Sequence, residues 1–191
     1  MDRLAIKRTA VILSTGDELT TGKVVDTNST VIAERLYAVG IRIGAVLTVG
    51  DERDRLVWAF EQARQMGDIV IGTGGLGPTA DDLTAETVAR FLGRPLIEDT
   101  GVAAGLKKRF TDRGITWTDN NLKQALFPEE ATIIANPAGT APGFRVSVAP
   151  GKDLVWLSGV PQEMVAMLDE SVMPWIASQQ EKTDEVYSRT F

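Results

Sequence analysis

The sequence predicts an α/β domain with a mostly parallel sheet, because short apolar segments alternate with amphipathic ones through about the first 90 residues. The apolar run 10–14 is typical of a strand buried on both faces. A helical pattern follows it, and residues 41–49 then alternate apolar and polar side chains as a half-buried strand does. At 191 residues the chain is long enough for one such domain.

The first three helices and the third strand follow from periodicity and from boundary residues. Asn28 or Ser29 can cap the helix that follows the first strand. Asp51 opens the second helix, the apolar run 69–71 predicts the third strand, and a third helix spans 85–92. Ligands of open parallel sheets bind beyond the carboxyl ends of the strands, so the loops after the first and third strands are expected to face one site.

The remaining sequence is predicted to complete the domain with three helices and a hairpin. The helices are expected at 102–113, 120–127 and about 162–176, and the hairpin strands at 144–148 and 153–157. Residues 1–176 are therefore expected to form the domain, and the polar residues 177–191 a tail or linker. The tryptophans are assigned to packing rather than to ligand stacking.

Composition excludes several classes of function. The 20 Lys and Arg residues against 26 Asp and Glu give a net charge of −6, which argues against a nucleic-acid partner held through its phosphates. The chain has no Cys and no His, which excludes disulfides, a thiolate nucleophile, a Ser-His-Asp triad and a His-ligated zinc. Acid–base chemistry must then come from carboxylates, Lys, Tyr or metal-bound water.

The distribution of apolar residues bears on location. No apolar run approaches the ~20 residues of a membrane span. The charged amino terminus also lacks the apolar core of a signal peptide. We therefore expect no membrane partner and a cytoplasmic location, with which the absence of Cys is compatible.

The glycine-rich segment 73–84 follows a strand and precedes a helix, the order that builds an anion cradle. Glycine lets the backbone approach a ligand closely, and the free N–H groups of a helix N-terminus attract phosphate. Asp81 and Asp82 would repel a phosphate unless a divalent cation sits between them, so the segment predicts a metal-assisted phosphate-ester or nucleotide site. The alternative is a tight turn in which one aspartate caps the helix. The ligand-binding residues expected here are Gly74, Gly75, Leu76, Gly77, Thr79 and Thr84.

A second candidate loop follows the first strand and carries Asp17 and Glu18. Either carboxylate could act as a general base in the absence of His. Lys23 could meet a phosphate as a point charge, and Asp26 and Asn28 could contact a ligand. The alternative is a solvated turn in which Asp26 and Asn28 serve only the entry into the helix.

A third loop, 136–143, is rich in turn residues and is a structural connection by default. The pairs Gly139–Thr140 and Pro142–Gly143 nevertheless offer backbone N–H groups and a hydroxyl to a ligand. Asp51 and Glu163, near the starts of two helices, are explained as well by the helix dipole as by contact with a ligand or metal.

Taken together, these motifs resemble those of one family. The segment 73–84, TGGLGPTADDLT, resembles the signature of the molybdopterin-binding fold in the version found in the amino-terminal domain of the competence/damage-inducible protein A (CinA) family. Residues 16–28 are similar to that family's first motif, and its later motifs are matched in order at 48–51, 121–125, 136–143 and 159–164. The resemblance covers most of the chain, and the motifs are specific as a set.

The resemblance implies a three-layer α/β/α fold shared with the molybdenum-cofactor proteins that bind or adenylylate molybdopterin. In the CinA-like branch it implies a metal-dependent pyrophosphatase acting on ADP-ribose and related nucleotides, and a homo-oligomer, either dimer or trimer. Many members also carry a carboxy-terminal amidase domain for nicotinamide mononucleotide. The sequence ends about where that domain would begin, and the amidase activity is not assigned to these 191 residues.

The first hypothesis is therefore a pyrophosphatase that releases AMP and a sugar phosphate. The cradle would hold phosphate, Asp82 with Asp81 or Glu18 would hold Mg²⁺, Mn²⁺ or Co²⁺, and Asp17 or Glu18 would act as the base. The second hypothesis is a module that binds molybdopterin or transfers an adenylyl group in molybdenum-cofactor biosynthesis, for which the same cradle would hold the pterin phosphate. A third is a domain that has lost catalysis and serves assembly.

Overall fold

The strands and long helices of about the first 90 residues follow the order that the sequence predicts, and several shorter elements are added to them. The computed structural model describes residues 8–179. Its strands are β1 (Thr9–Thr15), β2 (Arg42–Val49), β3 (Ile69–Thr73), β4 (Leu96–Glu98), β5 (Leu126–Pro128), β6 (Thr132–Ile134), β7 (Gly143–Ala149) and β8 (Lys152–Leu157). Its α-helices are α1 (Asp17–Thr20), α2 (Thr27–Ala38), α3 (Arg53–Met66), α4 (Thr84–Leu92), α5 (Thr100–Asp112) and α6 (Pro161–Met167), with a 3₁₀ helix at Asp119–Ala125.

The main sheet has the strand order β2-β1-β3-β8-β7-β6. Strands β2, β1, β3 and β8 run parallel, whereas β7 and β6 are antiparallel to their neighbours. The register pairs Ser14 with Thr73 and Thr73 with Leu157, so the carboxyl ends of β1, β3 and β8 lie side by side. The predicted α/β class with a mostly parallel sheet is confirmed, and the loops after these three strands meet at one edge.

Two hydrophobic cores, one on each face of the sheet, give the fold its three layers. Successive side chains of a strand point to opposite faces, so Ala10 and Ile12 pack into one core and Val11 and Leu13 into the other. The first core is closed by Ile32 and Leu36 of α2 with Met164 and Met167 of α6, and the second by Leu56 and Phe60 of α3 with Val88 of α4. The α/β/α sandwich follows from this alternation.

Helix α2 begins with a cap that differs from the predicted one. Asp26 is the N-cap, and its carboxylate accepts the backbone N–H of Ser29 at 3.0 Å. The prediction that Asn28 or Ser29 caps this helix is therefore wrong, because both lie inside its first turn. The carboxylate at Asp26 satisfies an N–H group that has no partner within the helix.

The next two helix starts also correct the predictions. Helix α3 begins at Arg53 after Glu52, so Asp51 lies in the preceding loop and does not open the helix. Helix α4 begins at Thr84 after Leu83 without a side-chain cap, so capping does not account for Asp81 or Asp82.

Several short elements were not predicted. Strands β4 and β5 pair antiparallel in a small separate sheet, β6 extends the main sheet, and α1 forms a single turn within the predicted first loop. The helix expected at 120–127 is instead the 3₁₀ helix followed by β5.

The last helix continues through a π-helical stretch, Leu168–Val172, and is helical again to residue 179, beyond the expected domain boundary at 176. The rest of the predicted tail, 180–191, and the amino-terminal residues 1–7 lie outside the described residues. No helix within residues 8–179 is long and apolar enough to cross a membrane.

Candidate functional site

A cavity of about 610 Å³ opens at the carboxyl ends of β1, β3 and β8. Its volume lies within the range of pockets that hold small ligands. The loop after β1 and the glycine-rich loop after β3 both line it, so the two loops that the sequence singles out face one cavity. The turn after β8 and residues 140–141 complete the wall.

Gly74 and Gly75 form the turn after β3 with φ values of 102° and 64°, a conformation that favours glycine. A Cβ atom at Gly75 would overlap the hydroxyl of Thr84. Within residues 8–179, the backbone N–H groups of Gly75, Leu76 and Gly77 make no hydrogen bond. These three donors are free to receive an anion.

The carbonyl group of Gly74 anchors this turn from below. It accepts the indole N–H of Trp156 at 2.6 Å and the hydroxyl of Thr84 at 3.1 Å, and all three residues are buried. Thr84, which the sequence assigns to ligand binding, therefore supports the cradle from behind and does not line the cavity. Trp156 packs in the core, as expected, and its indole N–H also holds the backbone of the cradle at Gly74.

Asp82 shapes the rim of the cradle. Its Oδ2 atom accepts the backbone N–H of Thr79 at 2.8 Å and the Thr79 hydroxyl at 2.5 Å. The ammonium group of Lys123, from the 3₁₀ helix, donates to the Thr79 carbonyl at 2.7 Å. Asp81 is exposed and lines the cavity beside Asp82. Of the two aspartates, Asp82 thus has a clear structural task in addition to any contact with a ligand.

Asp17 and Asp51 are joined in the first loop. The backbone N–H of Asp17 donates to Asp51 Oδ2 at 3.1 Å, and that of Asp51 donates to Asp17 Oδ1 at 3.2 Å. The hydroxyl of Thr15 donates to Asp51 Oδ1 at 2.6 Å. Glu18 and Asp51 line the cavity, whereas Asp17 and Lys23 are not among the lining residues. Of the two candidate bases, the structure thus brings only Glu18 to the cavity wall.

Asp26 and Asn28 bring the start of α2 to the cavity. Besides capping the helix, Asp26 accepts the hydroxyl of Ser29 at 2.5 Å. Asn28 is buried, and its side-chain N–H₂ donates to the Gly159 carbonyl at 2.9 Å in the turn after β8. This bond fixes the orientation of the amide. Its Oδ1 atom is buried and has no hydrogen-bond partner within residues 8–179.

Asn136 organises the third loop. Its Oδ1 atom accepts the backbone N–H of Gly139 at 2.7 Å, and its N–H₂ group donates to the Ala141 carbonyl at 2.9 Å and to Glu163 Oε2 at 2.8 Å. The hydroxyl of Ser158 donates to the same carboxylate oxygen at 2.7 Å. Glu163, at the start of α6, therefore ties the third loop to the turn after β8.

The predicted residues of this loop separate into two groups. Thr140 lines the cavity, whereas Gly139, Pro142 and Gly143 do not. Gly143 begins β7, and a Cβ atom there would overlap the Trp156 carbonyl, so packing accounts for this glycine. The carbonyl of Gly139 accepts a hydrogen bond from the guanidinium of Arg109.

The cavity wall is acidic. Its lining includes no Lys or Arg side chain but six carboxylates, from Glu18, Asp26, Asp51, Asp81, Asp82 and Glu163. Among residues 8–179, however, no three acidic side chains converge into a group that could hold a metal ion. The residues thus do not build an all-protein metal cage. They fit the other arrangement open to ions such as Mg²⁺, in which one or two carboxylates share the ion with phosphate oxygens and water.

Sequence reasoning missed several residues of the site. Gln124, Ser158 and Gly159 line the cavity, and Asn136 holds its third loop, but none was proposed as a ligand-binding residue. The position of Ser158 and Gly159 directly after a buried strand was an available signal, because the ligand is expected at such strand ends. Gln124 does not follow a strand, and its signal in the sequence was its place in the matched motif 121–125. The motif does not show that the residue lines the cavity, because the 3₁₀ helix reaches it through tertiary packing.

Comparison with known proteins identifies the family. The family profile described as "Probable molybdopterin binding domain" matches residues 11–178. A CinA-like protein of Geotalea uraniireducens is 44% identical over 179 residues, which cover 94% of this chain and 42% of that protein. A CinA-like protein of Rippkaea orientalis is 41% identical over 180 residues, covering 94% and 43%. The chain thus spans less than half the length of these curated relatives.

Solved structures agree with this assignment. The protein CinA from Thermoplasma acidophilum superposes with a TM-score of 0.78 at 37% identity, covering 84% of this chain and 94% of that chain. A molybdopterin biosynthesis protein from Mycobacterium abscessus superposes with a TM-score of 0.62 at 18% identity, covering 94% and 98%, which shows the fold alone. By sequence match and by fold, this chain belongs to the molybdopterin-binding domain family and, within it, to the CinA-like proteins.

Proposed function

We propose that this domain is a metal-dependent nucleotide pyrophosphatase that hydrolyses ADP-ribose or a related nucleotide to AMP and a sugar phosphate. The observation that carries the proposal is that one cavity combines free N–H donors for phosphate with a wall of carboxylates. Three free backbone N–H groups, at Gly75, Leu76 and Gly77, offer a place for phosphate. The surrounding wall has six carboxylates and no cationic side chain, so a diphosphate needs added cations to enter it.

Each group of residues has a task in this reaction. The cradle binds and orients one phosphate of the diphosphate. Glu18, which lines the cavity, accepts the proton of the attacking water as its oxygen bonds to phosphorus and the bridging P–O bond breaks. Asp17 is the weaker candidate for this base, because its carboxylate accepts the backbone N–H of Asp51.

The divalent cation, Mg²⁺, Mn²⁺ or Co²⁺, would be held by Asp82 with Asp81 or Glu18. When bound, it would neutralise phosphate charge and lower the pKa of a bound water. The absence of an all-protein cage within residues 8–179 favours an ion that enters together with the phosphate.

A second candidate function is the binding of molybdopterin, or adenylyl transfer to it. The family assignment favours this candidate, and so does a cradle that suits the phosphate of a pterin as well as that of a nucleotide. The two functions differ in outcome: the first requires AMP release, whereas the second predicts tight pterin binding without turnover of ADP-ribose.

The decisive experiment is AMP release from ADP-ribose by metal-stripped protein, with divalent ions added back singly. We expect AMP only with an added ion, and a fall of more than about tenfold for Asp82→Asn, which keeps a side-chain oxygen for Thr79 but removes the charge. Asp112→Asn, at an exposed site on α5, is the matched control and should retain full activity. Absence of AMP with every ion would rule out the pyrophosphatase, and a pterin titration would then test the second candidate.

The proposal keeps two broader expectations, a cytoplasmic location and a homo-oligomer. Light scattering on the eluting peak of a size-exclusion column measures the oligomeric state directly. A monomer at all concentrations would contradict the expected dimer or trimer.

A further inference from the structure

A small apolar chamber adjoins the candidate active site. We call it the apolar annex; its volume is about 90 Å³. It shares Gly75, Leu76, Gly77, Asp82 and Gln124 with the wall of the main cavity, so the two spaces meet beside the cradle. Its other walls are mostly apolar and come from Ala85, Leu96, Leu126, Phe127, Pro142 and Phe144. Two charged residues, Glu86 and Lys123, also line it.

Gln124 lies where the main cavity and the apolar annex meet, and its side-chain amide makes no hydrogen bond within residues 8–179. The residue is 6% exposed, and its Oε1 atom is buried without a hydrogen-bond partner. No hydrogen bond of the Gln124 side chain is found within residues 8–179. A buried polar group without a partner is costly and rare, and it calls for an explanation such as a missing ligand.

The backbone around Gln124 is held firmly in place. The neighbouring Lys123 ammonium donates to the Thr79 carbonyl of the cradle rim at 2.7 Å. On the other side, the backbone N–H of Asp99 donates to the carbonyl of the buried Ala125 at 2.9 Å. These contacts hold the backbone on both sides of Gln124, and its side chain lies between the phosphate cradle and the apolar annex.

The chemistry of the annex selects the part of a ligand that fits. Sugar hydroxyls would lose their hydrogen bonds to water against walls such as Phe127 and Phe144, whereas the face of a flat ring loses little. At about 90 Å³ the annex is far smaller than the main cavity of about 610 Å³, so it admits the edge of a ring and not a whole nucleotide. The sugar and the phosphates remain in the main cavity.

We infer that Gln124 recognises the ligand's fused heteroaromatic ring, whose edge enters the apolar annex. An amide offers one acceptor and one donor side by side, and it pairs with a ring edge that carries a donor next to an acceptor, as adenine does with N6–H and N7. The amide edge of a pterin offers the same combination. The inference deepens the proposed function, and it rests on that function for the identity of the nucleotide.

The test compares ligands with and without the ring. AMP, a pterin and ribose 5-phosphate are titrated by calorimetry, with Mg²⁺ present, into the parent protein and into Gln124→Met, which removes the amide at similar volume. We expect Gln124→Met to lower the affinity for AMP or for the pterin about tenfold or more. The affinity for ribose 5-phosphate should change less than about twofold. Whichever ring is weakened identifies the occupant. Gln65→Met, at an exposed amide on α3, is the control and should change neither.

A second variant covers the case in which Gln124→Met does not fold. Ala85→Leu, on α4, fills the annex and should weaken the same ring-bearing ligand while sparing ribose 5-phosphate. Unchanged affinity for both ring-bearing ligands in the variants would overturn the inference. So would a parent protein that binds them no more tightly than ribose 5-phosphate.

Binding does not require hydrolysis, so the two proposals fail separately. Ring binding that depends on Gln124, without AMP release from ADP-ribose, would remove the pyrophosphatase and leave the ring subsite. Hydrolysis of ADP-ribose by Gln124→Met with an unchanged KM would support the pyrophosphatase and remove the ring subsite.

Discussion

Asp17 and Asp51 each accept the other's backbone N–H group, at 3.2 and 3.1 Å, although 34 positions separate them in the sequence. The exchange fixes the loop after β1 against the loop after β2. Because the hydroxyl of Thr15 also donates to Asp51, the end of β1 is held at the same point. The position of Glu18, the proposed base, depends on this arrangement.

Asp51→Ala tests the role of this exchange. The change leaves the Thr15 hydroxyl and the Asp17 N–H without their acceptor, so we expect a loss of about 1–3 kcal/mol in the free energy of unfolding. For a chain of this size that lowers Tm by roughly 2–4 °C per kcal/mol, which thermal unfolding measures. Turnover of ADP-ribose should fall as well. Asp112→Ala, which loses only an exposed pair with Lys108, should stay within about 0.5 kcal/mol of the parent. Equal stability of the two variants would contradict the assigned role.

Gly75 and Gly93 form a natural pair for testing the cradle. Their φ values are 64° and 65°, so alanine suffers the same backbone strain of about 1–2 kcal/mol at either position. A Cβ atom at Gly93 meets nothing within 4 Å, whereas one at Gly75 overlaps the Thr84 hydroxyl. We therefore expect Gly75→Ala to cost about 1–3 kcal/mol more than Gly93→Ala in urea denaturation.

Gly75→Ala and Gly93→Ala should also differ in their affinity for ligands. Only Gly75→Ala disturbs the N–H groups of the cradle, so it should weaken phosphate-bearing ligands while Gly93→Ala binds them as the parent does. If both variants bind alike, the cradle is not where the phosphate lies.

Glu163 is expected to act by holding the third loop in place. Glu163→Ala removes the acceptor of both Asn136 and Ser158, and we expect it to cost about 1–3 kcal/mol of unfolding free energy. Amide hydrogen exchange in residues 138–141 should accelerate, because Asn136 then loses one of the bonds that orient it. Glu170→Ala, an exposed residue further along the same helical run, is the control. Partial recovery in Glu163→Gln, which keeps one acceptor oxygen, would distinguish the hydrogen bonds from the charge.

The sequence was informative where its signals are local. The alternation of Ala10, Val11, Ile12 and Leu13 between two faces requires layers on both sides of the sheet, and the two cores have that arrangement. The meeting of the loops after β1 and β3 could also be predicted, since parallel neighbours end at the same edge.

Short elements and long-range contacts escaped prediction for a physical reason. A three-residue strand such as β4 or β5 is too short to show a period, and it forms only because the other strand is brought beside it. The 3₁₀ helix likewise gives no periodic signal that would place Gln124 at the cavity. In the same way, no local pattern indicates that Asp51 serves Asp17 and Thr15 rather than a helix start.

The sequence by itself determined the class of fold, the family and the edge of the sheet at which the site lies, because apolar periodicity and glycine-rich turns act over a few residues. Only the tertiary structure decided which residue faces the cavity and which supports it. Thr84 turns its hydroxyl to the buried Gly74 carbonyl, and Trp156 reaches the same atom from 82 positions away. Buried polar groups must find partners wherever the packed chain provides them, and that choice is made by the folded chain as a whole.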